Sequence, residues 1–232
     1  MLCAIIGDIV NSRNISDTRR KTPTNDPLRH ALYEKMCEVL DRINEEFAEE
    51  IMLPFAIRYG DDFEGVVVSS YRSLEIAMRI IRAIYPIKVR IAFGLGNIST
   101  MPDNDNVYLS DGPAIHCARN ALTQLKKDRK SAGWFNMAFA VEDGHKLENA
   151  SLLMNTLVML LASITDGWTE KQLKAVWATE SYDGSKDKQK KAANDLGITS
   201  SAISDSLRTS KYAVYRKAWN TLIDYLRLES DE

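Results

Sequence analysis

The chain has 232 residues, of which 45% are hydrophobic and 27% charged, with a formal charge of -2. That length suits one large core or one medium and one small domain, and the balance excludes long disordered stretches. Three widely spaced cysteines, Cys3, Cys37 and Cys117, form neither a disulfide framework nor a metal-ligand spacing and suit a reducing cytoplasm, the expected location. The apolar opening, Met1 to Val10, lacks the basic segment of a signal peptide. Leu152 to Ile164 is the most apolar stretch; interrupted by Asn155 and Thr156, it is expected to be too short for a bilayer and to form a buried helix, with no membrane partner.

In chain order, Leu2 to Val10 is β-branched and apolar and predicts a central strand, followed by a polar loop from Asn11 to Asp26. Leu32, Met36, Val39, Leu40, Ile43 and Phe47 recur at helical spacing, so a long amphipathic helix is expected over 28–50, stopped by Pro54. Two apolar arms, 55–59 and 63–68, flank Gly60-Asp61-Asp62 as a hairpin. A helix over 71–83, a strand over 88–95, a helix over 114–125 and a strand over 135–141 complete this part. The order suits an antiparallel or mixed sheet with helices on one side, and neither glycine-rich phosphate loop is present. From His145 onward the pattern is helical, with five helices expected.

Asp8 ends the first strand, while Asp61 and Asp62 sit in the hairpin turn. If the first strand lies beside that hairpin, these carboxylates converge and need a cation, because like charges close together disfavour joint ionisation. Asp8, Asp61, Asp62 and the Ile9 carbonyl would make a hard oxygen site suited to magnesium carried in with phosphates. Read without a cation, Asp61 and Asp62 are turn formers and Asp8 caps a loop. Arg13, with Ser12 before it, is placed to meet a phosphate, or else is a surface arginine. Lys88 and Arg90 share one strand face and border either the same cleft or solvent.

Gly7-Asp8-Ile9-Val10 resembles the first strand of the class III nucleotide cyclases, and Tyr59-Gly60-Asp61-Asp62-Phe63 resembles the signature hairpin of the GGDEF diguanylate cyclases. That likeness implies metal-binding roles for Asp8 and Asp61, with Asp62 as the second turn acid. Gly112 to Asn120 is similar to the cyclase helix carrying an Asn and, four residues on, an Arg toward the transition state. His116 and Asn120 stand at those places here, and Arg119 is displaced by one, about 100 degrees around a helix, so it is not expected to substitute. Where the family has a lysine before the turn, this chain has Ile57 with Arg58 beside it, and Arg58 joins Ser12 and Arg13 as a candidate ligand contact. Over nearly its whole length the chain resembles the SatD family, whose opening Gly-Asp-Ile-Val-x-Ser-Arg signature appears as Gly7 to Arg13. That resemblance implies no particular reaction.

The rear of the chain is basic: from Lys186 to Arg227 nine basic residues stand against four acidic ones. Gln189 to Leu196 predicts a short helix ended by Gly197, after which Thr199 or Ser200 caps a second helix with Ile198, Ile203 and Leu207 expected to be buried. This is a helix-turn-helix pattern, and it resembles that of sigma-factor region four. Lys190, Lys191, Ser200, Ser201, Ser204, Arg208 and Lys211 would then face DNA, while Asp205 opposes tight binding. Alternatively these helices only pack against the helix near 148–164.

The expected fold class is α+β: a ferredoxin-like, nucleotide-cyclase-type α/β sandwich over 1–145, then an all-helical module over 146–232 with the helix-turn-helix at 188–209. The expected function is a regulatory protein binding a nucleotide or phosphate ligand with magnesium at the front and DNA at the rear, a homodimer helping the latter. A metal-dependent nucleotidyl or phosphoryl transfer enzyme and a protein-binding scaffold are the alternatives.

Overall fold

In the computed structural model of the chain, the described residues are 1–10, 27–59, 62–100, 110–127, 136–144 and 147–228. Ser12, Arg13, Asp61 and the polar loop after the first strand lie outside them.

Strand β1 (Cys3–Ile9) is buried along its whole length, as its β-branched, apolar sequence requires of a central strand. It is the middle of a five-stranded sheet ordered β2-β3-β1-β4-β5, with β2 at Ile51–Tyr59, β3 at Asp62–Val67, β4 at Val89–Leu95 and β5 at Asn136–Val141. β3 and β4 flank β1 antiparallel, β2 pairs antiparallel with β3, and β5 runs parallel to β4. A parallel pair needs a crossover, and helix α3 (Pro113–Lys127) lies within that connection.

Alternation along β1 divides the core in two. Cys3, Ile5 and Ile9 join the cluster formed with α1 (Pro27–Glu46) and α2 (Ser70–Ile84), while Ala4 and Ile6 pack on Ala114, Ala118 and Leu122 of α3. The sheet therefore carries helices on both faces, which corrects the expectation of a one-sided layer. The reason is visible in α3, whose small residues let it lie flat: a Cβ on Gly94 of β4 would stand 1.9 Å from the Ala114 carbonyl oxygen.

Helix α1 ends at Glu46, earlier than periodicity suggests, and Pro54 lies inside β2 instead of stopping the helix. An edge strand tolerates proline because one side of it needs no ladder donor; register shifts on either side of Leu53 and Ala56 absorb the irregularity.

Both sheet edges are closed by an asparagine from a neighbouring helix. On the β2 edge, Asn44 of α1 accepts from the Phe55 N–H at 2.7 Å and donates to its carbonyl at 2.9 Å. On the β5 edge, Asn155 accepts from the Phe139 N–H and donates to its carbonyl, both at 2.8 Å. A primary amide has the same donor and acceptor spacing as a backbone segment and satisfies groups that a sixth strand would otherwise take.

Asn155 belongs to α4 (Ser151–Asp166), which follows a 3-10 turn at Glu148–Ala150 and is succeeded by α5 (Glu170–Glu180), α6 (Lys188–Leu196), α7 (Ser200–Thr209) and α8 (Tyr212–Leu228). The helical stretch that contains Leu152–Ile164, Glu148–Asp166, runs 19 residues and has the length and composition to cross a membrane, as core helices of soluble proteins also can. It is not a fully buried helix, against expectation. Met154, Val158, Leu161 and Thr165 are buried, but Leu152, Leu153, Met159 and Leu160 are exposed.

A mixed α/β sheet part is thus followed by an all-helical region, and one apolar cluster runs through both, from Ile5 and Leu74 to Leu173, Tyr215 and Leu226. Arg82 of α2 pairs with buried Glu180 of α5 across that junction, and within the helical region Trp168 Nε1 donates to the Ser210 carbonyl at 2.7 Å.

Candidate functional site

At one end of the sheet the face under α3 changes from apolar to charged. Cross-strand register puts Ile6 opposite Glu64 and Ala92, and two residues on it puts Asp8 opposite both Asp62 and Arg90. Residues opposite one another share a face, so Asp8, Asp62, Glu64 and Arg90 all lie on the side that α3 covers. Helix α3 supplies the other half: Arg119, Leu122 and Lys126, at spacings of three and four, lie along its flank.

Asp8 is only 7% exposed, yet both of its oxygens meet cations. Arg90 Nη1 stands 3.0 Å from Oδ2, and Lys126 Nζ stands 3.3 Å from Oδ1. The same ammonium lies 3.2 Å from Asp62 Oδ1 and so bridges the opposed carboxylates. One step inward, Glu64, 4% exposed, is held between Arg58 of β2 on one oxygen and Arg119 of α3 on the other, the latter at 3.4 Å. Burying such a carboxylate is costly unless cations surround it, and two guanidiniums meet that need.

Arg58, Asp62, Glu64, Arg119 and Lys126, with Ile6, Phe63, Leu122 and Thr123, line a cleft of 370 Å³, within the roughly 300–1,000 Å³ of small-molecule sites; Asp8 and Arg90 lie behind Lys126. Arg58, a sequence candidate, is in the cleft. Arg119, which is not expected to substitute for the family's arginine, lies beside the buried stripe of Ala118 and Leu122 and reaches Glu64. Glu64 and Lys126 carry no motif; the signals that find them are the alternation of Asp62 and Glu64 along β3 and the seven-residue spacing of Arg119 and Lys126. His116 lies outside the cleft, 3.0 Å from Asp111.

Of the four expected metal ligands, Asp61 lies outside the described residues, and the other three are Asp8, Ile9 and Asp62. Among the described residues no group of three or more His, Cys, Asp or Glu side chains is placed to hold a metal ion. With Lys126 between Asp8 and Asp62 and Arg90 on the remaining Asp8 oxygen, this donor set does not fit a divalent cation in its present arrangement.

The SatD family pattern matches residues 2–226, almost the entire length. The chain belongs to the SatD family. No curated protein matches it. Among solved structures, this SatD protein is similar to a dimeric guanylyl cyclase domain of the RhoGC fusion protein from the aquatic fungus Blastocladiella emersonii, at 19% identity and a TM-score of 0.41, over 53% of this chain and 72% of that one. It is likewise similar to the guanylate cyclase domain of RhGC from Catenaria anguillulae, solved with GTP, at 17% identity and a TM-score of 0.37, over 53% and 71% of the two chains.

In the helical region of this SatD protein, Gly197 takes the left-handed conformation at φ 63° between α6 and α7, and Thr199 Oγ1 caps α7 by accepting from the Ala202 N–H at 3.2 Å. Ala192, Ala193, Ile203 and Leu207 are buried, but Ile198 is 43% exposed, against expectation, because the turn carries it outward past the Ala193 carbonyl that its N–H meets. Lys190, Lys191, Ser200, Ser201, Ser204, Arg208 and Lys211 are exposed. Lys191 sits over the Tyr182 ring, and Arg208 pairs with Asp205 at 3.2 Å, so part of this basic surface is engaged internally.

Proposed function

We propose that the cleft between α3 and the sheet binds a phosphate-bearing small molecule, with a nucleotide as the class to test first. One observation carries this reading: three cationic side chains, Arg58, Arg119 and Lys126, and two carboxylates, Asp62 and Glu64, line a cleft of ligand size. The excess is positive, and its two most accessible members, Arg119 and Lys126, are each 39% exposed along the cleft wall. A guanidinium carries five N–H donors in a planar fork, more than the 3.4 Å contact with Glu64 engages. Arg119 can therefore keep Glu64 and still meet a phosphate oxygen through a charge-assisted bond. Glu64 serves as the anchor that orients both arginines.

Calorimetric titration of ATP and of GTP into the full chain at low salt tests the reading. Binding is expected for at least one of them, with affinity falling roughly tenfold in Arg119→Ala, the loss of one charged hydrogen bond. No heat with either nucleotide, at concentrations where circular dichroism shows a folded protein, would remove the nucleotide class.

A second reading is favoured by the left-handed Gly197 and the capped α7, a turn of the kind that presents a recognition helix to DNA. Here Ser201, Ser204 and Arg208 would approach base edges, and Lys190, Lys191 and Lys211 the phosphates. Its mark is a steep fall of DNA affinity with salt that charge reversal at Arg208 and Lys211 abolishes; affinity indifferent to both would exclude it.

A further inference from the structure

We propose that the ammonium of Lys126 is the resident cation of the cleft, seated between Asp8 and Asp62 in place of a divalent metal, and that phosphate binding there proceeds without magnesium. The first half stands on geometry; the second rests on the phosphate reading above.

Directly opposed carboxylates on neighbouring strands repel and need a counter-charge. Asp8 and Asp62 are such a pair, and Lys126 Nζ lies within 3.3 Å of one and 3.2 Å of the other. The remaining oxygen of Asp8 faces Arg90 at 3.0 Å, and Arg90 is itself fixed opposite Asp8 by the β1–β4 register. A divalent ion approaching these oxygens meets two positive charges already in contact with them. To enter, it has to displace Lys126 and sit beside Arg90, both against Coulomb repulsion in a partly desolvated place.

Lys126 is also held where it is. It occupies the last turn of α3, where a cation is favoured by the helix dipole. The helix cannot slide away easily, because its backbone rests on Gly94. An ammonium has three donors; one is donated to Asp62 Oδ1, Asp8 Oδ1 is held as an ion pair at 3.3 Å, and the remaining donors can meet a phosphate oxygen entering the cleft. Seven residues separate Lys126 from Arg119, about 10.5 Å along the axis, which sets two phosphate contacts at opposite ends of one wall. Lys126 thereby performs two tasks that a metal performs elsewhere, neutralising the carboxylates and bridging them to an anion.

Manganese titration of the full chain, following the free ion by electron paramagnetic resonance, compares the wild type with Lys126→Gln and Lys126→Arg. Lys126→Gln is expected to bind the ion roughly tenfold more tightly than wild type, and Lys126→Arg, which keeps the charge, to behave as wild type. Equal manganese affinity in wild type and Lys126→Gln would overturn the assignment. ATP titration in the presence of a chelator completes the experiment: wild-type affinity is expected to match that with magnesium and to drop in Lys126→Gln. ATP binding that requires magnesium would overturn the second half. Absence of ATP binding under both conditions would remove the phosphate reading, while the manganese comparison still decides the place of Lys126.

Discussion

The Ser70 hydroxyl, at the first residue of α2, donates to the Leu226 carbonyl near the end of α8 at 3.2 Å, joining positions 156 residues apart. Beside it Arg227 lies over the Tyr71 ring, 4.9 Å from its centre. Together with the shared core, these contacts make the sheet part and the helices one cooperative unit. Thermal unfolding is expected to show a single transition, with fluorescence of the four tryptophans, Trp134, Trp168, Trp177 and Trp219, coinciding with far-ultraviolet circular dichroism. Two separated transitions would show that the helices fold on their own.

Glu180 is the polar centre of that junction, contacted by Arg82 of α2 and, at 3.5 Å, by Arg216 of α8. Arg82→Ala removes one of two cations from a carboxylate that is 4% exposed, and the expected cost is about 2–3 kcal/mol, near the lower end for breaking a buried pair because Arg216 remains. Urea denaturation measures it; a change below the error of the midpoint would mean that the pair contributes nothing.

Gly94 controls how closely α3 approaches the sheet. In Gly94→Ala the new methyl would lie 1.9 Å from the Ala114 oxygen and 2.5 Å from the Ala118 nitrogen, both backbone atoms. Overpacking of this kind costs about 1–3 kcal/mol, and α3 must lift, carrying Arg119 and Lys126 with it. A lowered melting temperature accompanied by weaker ATP binding is expected. Unchanged binding in a destabilised protein would separate the position of α3 from the cleft.

Alkaline pH should weaken the fold. Burial pushes the Cys3 thiol from its ordinary 9.0 up to about 12, and burial followed by the nearby Glu180 charge pushes Tyr212 from 10.0 to about 12. Between those limits the unfolded chain releases protons that the folded chain retains, so stability is complete below pH 9 and falls as pH rises toward 12. The fully buried Cys3 contributes about 1.4 kcal/mol per pH unit within its window, and the half-buried Tyr212 less because solvent screens it. Stability measured against pH is expected to decline less steeply in Cys3→Ala; an identical slope would place the thiol in contact with solvent.

Asn155→Ala removes both bonds to Phe139 and leaves a strand donor and acceptor without their partners, for an expected loss of about 2 kcal/mol. Asn155→Asp keeps the acceptor but sets a carboxylate oxygen against the Phe139 carbonyl, and is expected to cost at least as much as Asn155→Ala. Equilibrium unfolding in urea checks both variants.

The order of strands and helices is legible in the sequence because it depends on local periodicity: β1, α2 and β4 begin and end within a few residues of their expected bounds. Pro54 misleads because its effect depends on whether a strand is at an edge, which only the finished sheet decides. Asn155 reads as a blemish in an apolar helix, and its purpose appears only when β5 lies alongside. At the site, the placing of Asp8 next to Asp62 is readable as a conditional, since it needs the first strand to lie against the hairpin. Arg119 and Lys126 are not readable in that way. Their meaning comes from the contact of α3 with strands some 55 to 118 residues away in sequence.

A strand addressed from outside needs unsatisfied amides to dock against, and at Phe55 and Phe139, near the middle of each outer strand, asparagines already occupy those amides. An extended segment docking at those two positions would have to displace Asn44 or Asn155, so each asparagine is a local guard on its edge. The helical region, by contrast, leaves apolar surface open at Leu152, Leu153, Met159, Leu160 and Val214.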